Sequence, residues 1–224
     1  MFDRIAPYYD FLNHLLSLGV DIKWRKKAAK KLRESNPHSV LDVATGTGDL
    51  AFEVQKQIPD AKITGIDLSP QMLDLANKKQ EKRNSGTSSP IRFIVGDSEA
   101  LPFGDAEFDG VLAAFGVRNF ENLEKGLAEM NRVMSKGGKL VILEFSRPRY
   151  FPFKQLYNAY FRYVLPVIGR LTSKDPKAYR YLYESVQAFP DYGSFTKILE
   201  KTGFHSFEIH PLTLGICCIY TASK

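Results

Sequence analysis

Three aspartates close apolar runs in the first half of this 224-residue chain. Asp42 follows Val40-Leu41, Asp67 ends Lys62-Ile63-Thr64-Gly65-Ile66, and Asp97 follows Ile91-Arg92-Phe93-Ile94-Val95-Gly96. After Asp42 comes Val43-Ala44-Thr45-Gly46-Thr47-Gly48-Asp49-Leu50, which reads as a buried strand, a tight turn and the first residues of a helix. Gly46 and Gly48 leave room for backbone amides to approach a ligand, and a helix start offers unpaired N–H groups. Gly46, Gly48 and Ala51 also fit a loose dinucleotide fingerprint, with Asp67 placed as its ribose acid. Asp42 and Asp97 argue the other way. Three carboxylates in one crevice would repel a pyrophosphate and suit a cationic cofactor with a ribose and an amino group, as S-adenosylmethionine has. A turn that serves only to reverse the chain, with its acids capping helices, is the third possibility.

These acids share a crevice only if their strands are parallel neighbours, and the pattern of the chain supplies that. Strands are expected around Val40, Lys62–Asp67, Ile91–Gly96, Phe108–Ala114 and Lys139–Phe145, with helices between them. Asp21, as N-cap, should open an amphipathic helix to about Glu34, with Ile22, Ala28, Ala29 and Leu32 inward and the lysines outward. A second helix covers Leu50–Gln57, and Ser69-Pro70 starts a third. Leu123, Leu127, Met130 and Met134 give one face of a fourth, which Gly137-Gly138 turns into the fifth strand. After a helix over 191–202, stretches 206–210 and 215–222 should form an antiparallel edge. The expectation is an α/β protein with a Rossmann-like, doubly wound, seven-stranded and mostly parallel sheet. An aromatic-basic helical insert interrupts it after the fifth strand. Residues 147–183 hold ten aromatics and eight basic residues against one acid, Asp175.

The chain reads as one domain over 1–224, with 1–36 as an N-terminal lid and helix and 147–190 as a segment covering a second ligand. Cys217 and Cys218 are adjacent, so they close no loop, and a reducing cytoplasm fits. No uncharged run is long enough to cross a bilayer, and no metal site is expected. The net charge of +6 is concentrated in helix 21–34 and in the insert. Nothing in either reads base edges, which argues against nucleic acid.

Longer motifs are more specific than the glycine turn. They are Tyr9-Asp10-Phe11-Leu12-Asn13 with Ser17 and Trp24, Glu99-Ala100-Leu101-Pro102-Phe103, Phe115-Gly116-Val117-Arg118-Asn119, Arg132-Val133-Met134 with Gly137-Gly138, Glu144-Phe145-Ser146, and Tyr179-Arg180-Tyr181-Leu182. With these the chain resembles the class I S-adenosylmethionine-dependent methyltransferases, and more narrowly the ubiquinone/menaquinone biosynthesis C-methyltransferase family. It departs from the family pattern at Leu12, Asp21, Ser135 and Lys136. The match begins at Phe2, so a short leading segment common in the family is expected to be missing.

The resemblance implies S-adenosylmethionine as cofactor and a polyprenyl hydroquinol, a demethylmenaquinol or a related benzoquinol, as methyl acceptor. A soluble small-molecule acceptor is the alternative. It implies that Thr47, beside Gly46 and Gly48, touches the methionyl part, that Tyr9 closes over it, and that Asp42 is a further cofactor-binding residue. Asp67 would bridge the ribose hydroxyls, Met72 would lie near the adenine, and Asp97 and Ser98 would flank it. Ala114 stands where the family often has a serine, so only its backbone can touch the cofactor. A quinol hydroxyl ionises near pH ~10, and a neighbouring cation lowers that value. Arg118 is the expected catalytic cation and Asn119 the group that orients the same oxygen. His14, His38, His205 and His210 are weaker candidates for a base. A prenyl tail and the basic-aromatic insert together predict weak peripheral contact with anionic membrane.

Overall fold

The computed structural model describes residues 17, 19–83, 89–159 and 176–224. Residues 1–16, with Tyr9 and His14, and Tyr160, Phe161 and Tyr163 of the insert lie outside the described residues. The strands are β1 (Ser39–Val43), β2 (Lys62–Asp67), β3 (Arg92–Val95), β4 (Phe108–Ala114), β5 (Met134–Phe145), β6 (His205–Leu212) and β7 (Cys217–Ser223). They form one seven-stranded sheet in the order β3-β2-β1-β4-β5-β7-β6. The first five pair in parallel, and β7 pairs antiparallel with both β5 and β6. The strand order reverses on either side of β1, so a crevice opens at the carboxyl ends of β1 and β4.

Helices cover both faces, and each face has its own apolar core. Val40, Leu41 and Val43 are wholly buried for this reason, which explains why β1 shows no polar alternation. On one face lie α1 (Val20–Arg33) and α2 (Asp49–Gln57), with Trp24, Ala28, Leu32, Phe52 and Val54 inward. On the other lies α4 (Leu123–Val133), with Leu127, Met130 and Val133 inward. Its start is capped by Asn122, whose side chain accepts from the Lys125 amide at 3.0 Å. Ser69 caps α3 (Pro70–Arg83) as the sequence predicts, accepting from the Met72 amide at 3.3 Å.

Several local expectations are corrected. Gly19, in the left-handed region at φ 74°, takes the N-cap position of α1, while Asp21 lies buried in the first turn. Ile22 points outward, 57% exposed, because Trp24 anchors that face. The Trp24 indole donates to Thr213 Oγ1 at 2.8 Å and packs against Phe115 and Phe145. Met134 is buried but belongs to β5, opposite Phe108, and the pairing shifts register before Gly110 and Lys139 resume it. The last helix, α7, spans Gly193–Lys201 and leaves Asp191 outside to pair with Arg147 at 3.0 Å. In the described part of the insert, α5 is Phe153–Ala159 and α6 is Pro176–Ala188.

Candidate functional site

At the switch point lies a cavity of about 320 Å³, within the range of small-molecule sites. Its lining comes from the segments that leave four neighbouring strands: Ala44 to Thr47 after β1, Asp67 and Leu68 after β2, Gly96 to Glu99 after β3, and Ala114 to Gly116 from β4. Asp42, Met72, Asn119 and Arg25 complete its principal walls. Parallel strands in register bring these ends to one level, which is why residues far apart in sequence meet here.

The glycine turn is shaped by backbone conformation. Gly46 and Gly48 have φ of 56° and 81°, in the left-handed region that glycine enters without strain. The Gly46 amide donates to Asp67 Oδ2 at 2.8 Å, and the Ser69 amide donates to Oδ1 at 2.9 Å. These two bonds fix the carboxylate plane. Gly48 does not line the cavity. A Cβ there would lie 2.9 Å from the Phe93 ring, so this glycine lets β3 and the start of α2 pack together. Thr47 lines the cavity and accepts from Lys79 Nζ at 2.8 Å, and the same ammonium pairs with Asp49 at 2.7 Å.

Asp42 is fully enclosed, and burial pushes its carboxyl up from 3.8 to about 7. The Thr45 hydroxyl, donating to Oδ2 at 2.6 Å, opposes the rise, the Asp67 charge adds to it, and Arg25 opposes it weakly. Asp97 stands exposed at the rim, where its Oδ1 accepts from the Glu99 amide at 2.8 Å. The three expected acids and Gly46, Thr47, Met72, Ser98, Ala114 and Asn119 therefore border one cavity.

Arg118 is placed differently from the open cation that the sequence suggests. Its Nη1 pairs with Glu144 Oε1 at 2.9 Å, with side chains 4% and 0% exposed, and also donates to the Phe115 carbonyl. It is not among the residues lining the cavity. Burial raises the Glu144 carboxyl, and the Arg118 charge is the largest influence pulling it back. Asn119 does face the cavity. Its Oδ1 accepts from the Tyr181 hydroxyl at 3.1 Å, which brings α6 of the insert beside the site. His38, His205 and His210 do not line it.

Sequence reasoning missed Arg25, Thr45, Phe115, Gly116, Phe120 and Glu121 as lining residues. Phe115 to Gly116 carried a signal in the motif that contains them, whereas Arg25 sat unremarked in a row of helix cations. The acceptors suit a cationic ligand with a diol: among the described lining residues, Asp42, Asp49, Asp67, Asp97, Glu99 and Glu121 stand against one cation, Arg25. A pyrophosphate would meet net negative charge. The cavity thus fits S-adenosylmethionine in size and in charge.

Comparison with known proteins points the same way. The model of the ubiE/COQ5 methyltransferase family matches residues 1–224. A demethylmenaquinone methyltransferase of Bacteroides fragilis is 45% identical over 224 residues, covering 100% of this chain and 91% of that protein. A ubiquinone/menaquinone biosynthesis C-methyltransferase UbiE of Geotalea daltonii is 48% identical over 225 residues, covering 100% and 94%. Among solved structures, an S-adenosylmethionine-dependent methyltransferase of Thermotoga maritima, described as a possible histamine N-methyltransferase, superposes with a TM-score of 0.70 at 19% identity over 100% of this chain and 97% of that one. At that identity the likeness supports the fold alone.

Proposed function

The chain belongs to the ubiE/COQ5 methyltransferase family, and from that premise we propose that it methylates a ring carbon of a demethylmenaquinol, with a related benzoquinol as the second acceptor. The observation that carries this reading is a full-length family match combined with an acid-lined cavity at the switch point of the sheet. When bound, S-adenosylmethionine supplies an electrophilic methyl group. Thr47 and Asp42 would hold the methionyl end, Asp67 the ribose diol, and Met72, Asp97 and Ser98 the adenine. Ala114 would contribute its backbone, and Tyr9 would close over the methionyl end.

The acceptor carbon must be nucleophilic, so the quinone has to arrive reduced, with the adjacent hydroxyl ionised or sharing its proton. Asn119, steadied by Tyr181, orients that hydroxyl oxygen from the cavity wall. Arg118, on the same turn, is paired with Glu144 and donates to the Phe115 carbonyl, so it holds in place the segment that carries Asn119 to the cavity. Alignment and exclusion of bulk water from this wall are the protein's chief contributions to rate.

A prenyl tail needs an apolar route to the membrane. Tyr150, Phe151 and Leu214, 78%, 80% and 60% exposed, support peripheral contact through the start of the insert, with Arg149 beside them for anionic head groups. No helix among the described residues is long and apolar enough to cross a membrane.

The test is mass-detected methyl transfer from S-adenosylmethionine to chemically reduced short-chain demethylmenaquinol and to the matching benzoquinol, in detergent. Product from either supports the reaction class, and their ratio names the preferred ring. Cofactor binding without product from either quinol would move the acceptor to a soluble small molecule.

A further inference from the structure

The cavity carries a charge pattern that the family match does not explain. Of its described lining residues, six are acids and one, Arg25, is a cation. Arg25 is also out of place on its own helix. The other basic residues of α1 are exposed or half-buried, whereas Arg25 is buried against the site. Burying a guanidinium is costly unless it is paired, and Asp21, one turn back, pairs with its Nη1. Asp21 is itself held by the Ser17 hydroxyl at 2.6 Å. The Arg25 guanidinium carbon stands 5.5 Å from the centre of the Phe115 ring, which lines the same cavity. Among the described residues Asp21 is its single hydrogen-bond acceptor, so the guanidinium keeps N–H groups to offer a ligand of the cavity that it lines.

We propose that Arg25 is the binding group for the α-carboxylate of the cofactor's methionyl end. The inference rests on S-adenosylmethionine being the ligand of this cavity. The methionyl end is a zwitterion, and each half needs an opposite charge. Asp42 and Arg25 both line this cavity, so an acid and a base face the same ligand. Asp42 suits the ammonium and Arg25 the carboxylate. Without Arg25, every charged side chain among the described lining residues would be an acid, which disfavours a carboxylate there. Asp21 and Ser17 do not touch the ligand in this scheme. They hold the guanidinium in register before it binds, which lowers the ordering cost of recognition.

The test compares S-adenosylmethionine with decarboxylated S-adenosylmethionine, which keeps the sulfonium, the ribose, the adenine and the ammonium. Binding is measured by calorimetry on the full chain, for wild type, for Arg25→Gln, and for Asp21→Asn/Arg25→Gln, in which no buried carboxylate is left unpaired. Wild type is expected to prefer the carboxylated ligand. Both variants should lose that preference by roughly tenfold to a hundredfold, the range of one hydrogen bond to a charged group, with little change for the decarboxylated ligand. Arg25→Lys should retain part of it. Equal weakening for both ligands, or a wild type that does not distinguish them, would overturn the assignment and leave Arg25 a structural ion pair. Failure of wild type to bind either ligand would instead remove the cofactor reading, and the assignment with it.

Discussion

Replacing Asp42 by asparagine should stabilise the ligand-free protein at pH 8 and weaken its hold on the cofactor. The carboxyl is fully enclosed, and burial raises it from 3.8 to about 7. Each pH unit between those values is worth ~1.4 kcal/mol, so the ionised group opposes folding by about 4 kcal/mol above pH 7. An acid with a raised folded value binds its proton more tightly when folded. Its penalty is therefore absent below about pH 4, grows as pH rises to 7, and is constant beyond. Asparagine has nearly the same shape, carries no charge and can still accept from the Thr45 hydroxyl, which donates to Asp42 at 2.6 Å. Allowing for imperfect amide geometry, a gain of about 2 kcal/mol at pH 8 is expected, or roughly 4–8 °C in melting temperature for a chain of this size. At pH 4 the gain should vanish. Melting curves of both proteins, without ligand, at several pH values from 4 to 8 check this. A variant no more stable than wild type at pH 8, or a difference independent of pH, would refute the reasoning. The same substitution should remove a pH dependence of binding: below pH 7 the affinity of wild type for the cationic cofactor should fall about tenfold per unit as Asp42 gains its proton, and Asp42→Asn should be weak throughout.

The Arg118–Glu144 pair allows structural and chemical roles to be separated. Arg118→Ala leaves a buried carboxylate without its partner and should cost about 3–5 kcal/mol of stability, read as a melting temperature lower by roughly 10 °C. Arg118→Gln/Glu144→Gln should restore most of that loss and retain cofactor affinity, yet turn over at least tenfold more slowly; unchanged turnover would reduce Arg118 to a structural role. Gly116→Ala should lower cofactor affinity at least tenfold, because the new Cβ would stand 2.6 Å from Ala44 Cβ across the cavity wall; calorimetry showing wild-type affinity would contradict that contact. Tyr150→Ser/Phe151→Ser should abolish flotation with anionic vesicles at low salt while leaving methyl transfer to a short-chain quinol intact. Flotation equal to wild type would place the membrane contact elsewhere.

The parallel core was legible because β1 and β4 must be apolar on both faces, and because small residues sit where the chain leaves β1. Asp67 was legible for the same reason, since a strand that ends in an acid beside a glycine turn has few other places to point. Arg25 was not. It is one of seven cations in a short run, although at 100° per residue it falls on the inward face with Ala28, Ala29 and Leu32, opposite Lys23 and Lys27, and the docking of Trp24 against Phe115 and Phe145 sets that face over the open end of the sheet. Asp21 misled for a related reason: an acid at a helix start usually caps, but Gly19 had already supplied the turn. Arg118 was visible as a cation after β4, yet its partner lies 26 residues later on β5. Pairing across strands depends on register, which no local pattern carries.

Both arginines meet at one structural element. Phe115, at φ 56°, gives its carbonyl to Arg118 on one side and its ring face to Arg25 on the other. Each guanidinium is buried with a carboxylate, Glu144 for the first and Asp21 for the second. Two buried ion pairs contribute little net stability, since desolvation offsets most of the attraction. Their value here is geometric. Planar, multidentate groups fix direction better than apolar contacts do, and between them they hold the 115–119 segment that carries Phe115, Gly116 and Asn119 to the cavity. The cofactor wall and the acceptor wall are thus two faces of one short turn. Displacing Phe115 from either side would disturb both the methionyl end and the oxygen that Asn119 orients, so variants at Arg25 and Arg118 should couple in turnover although their guanidinium groups pair with different acids.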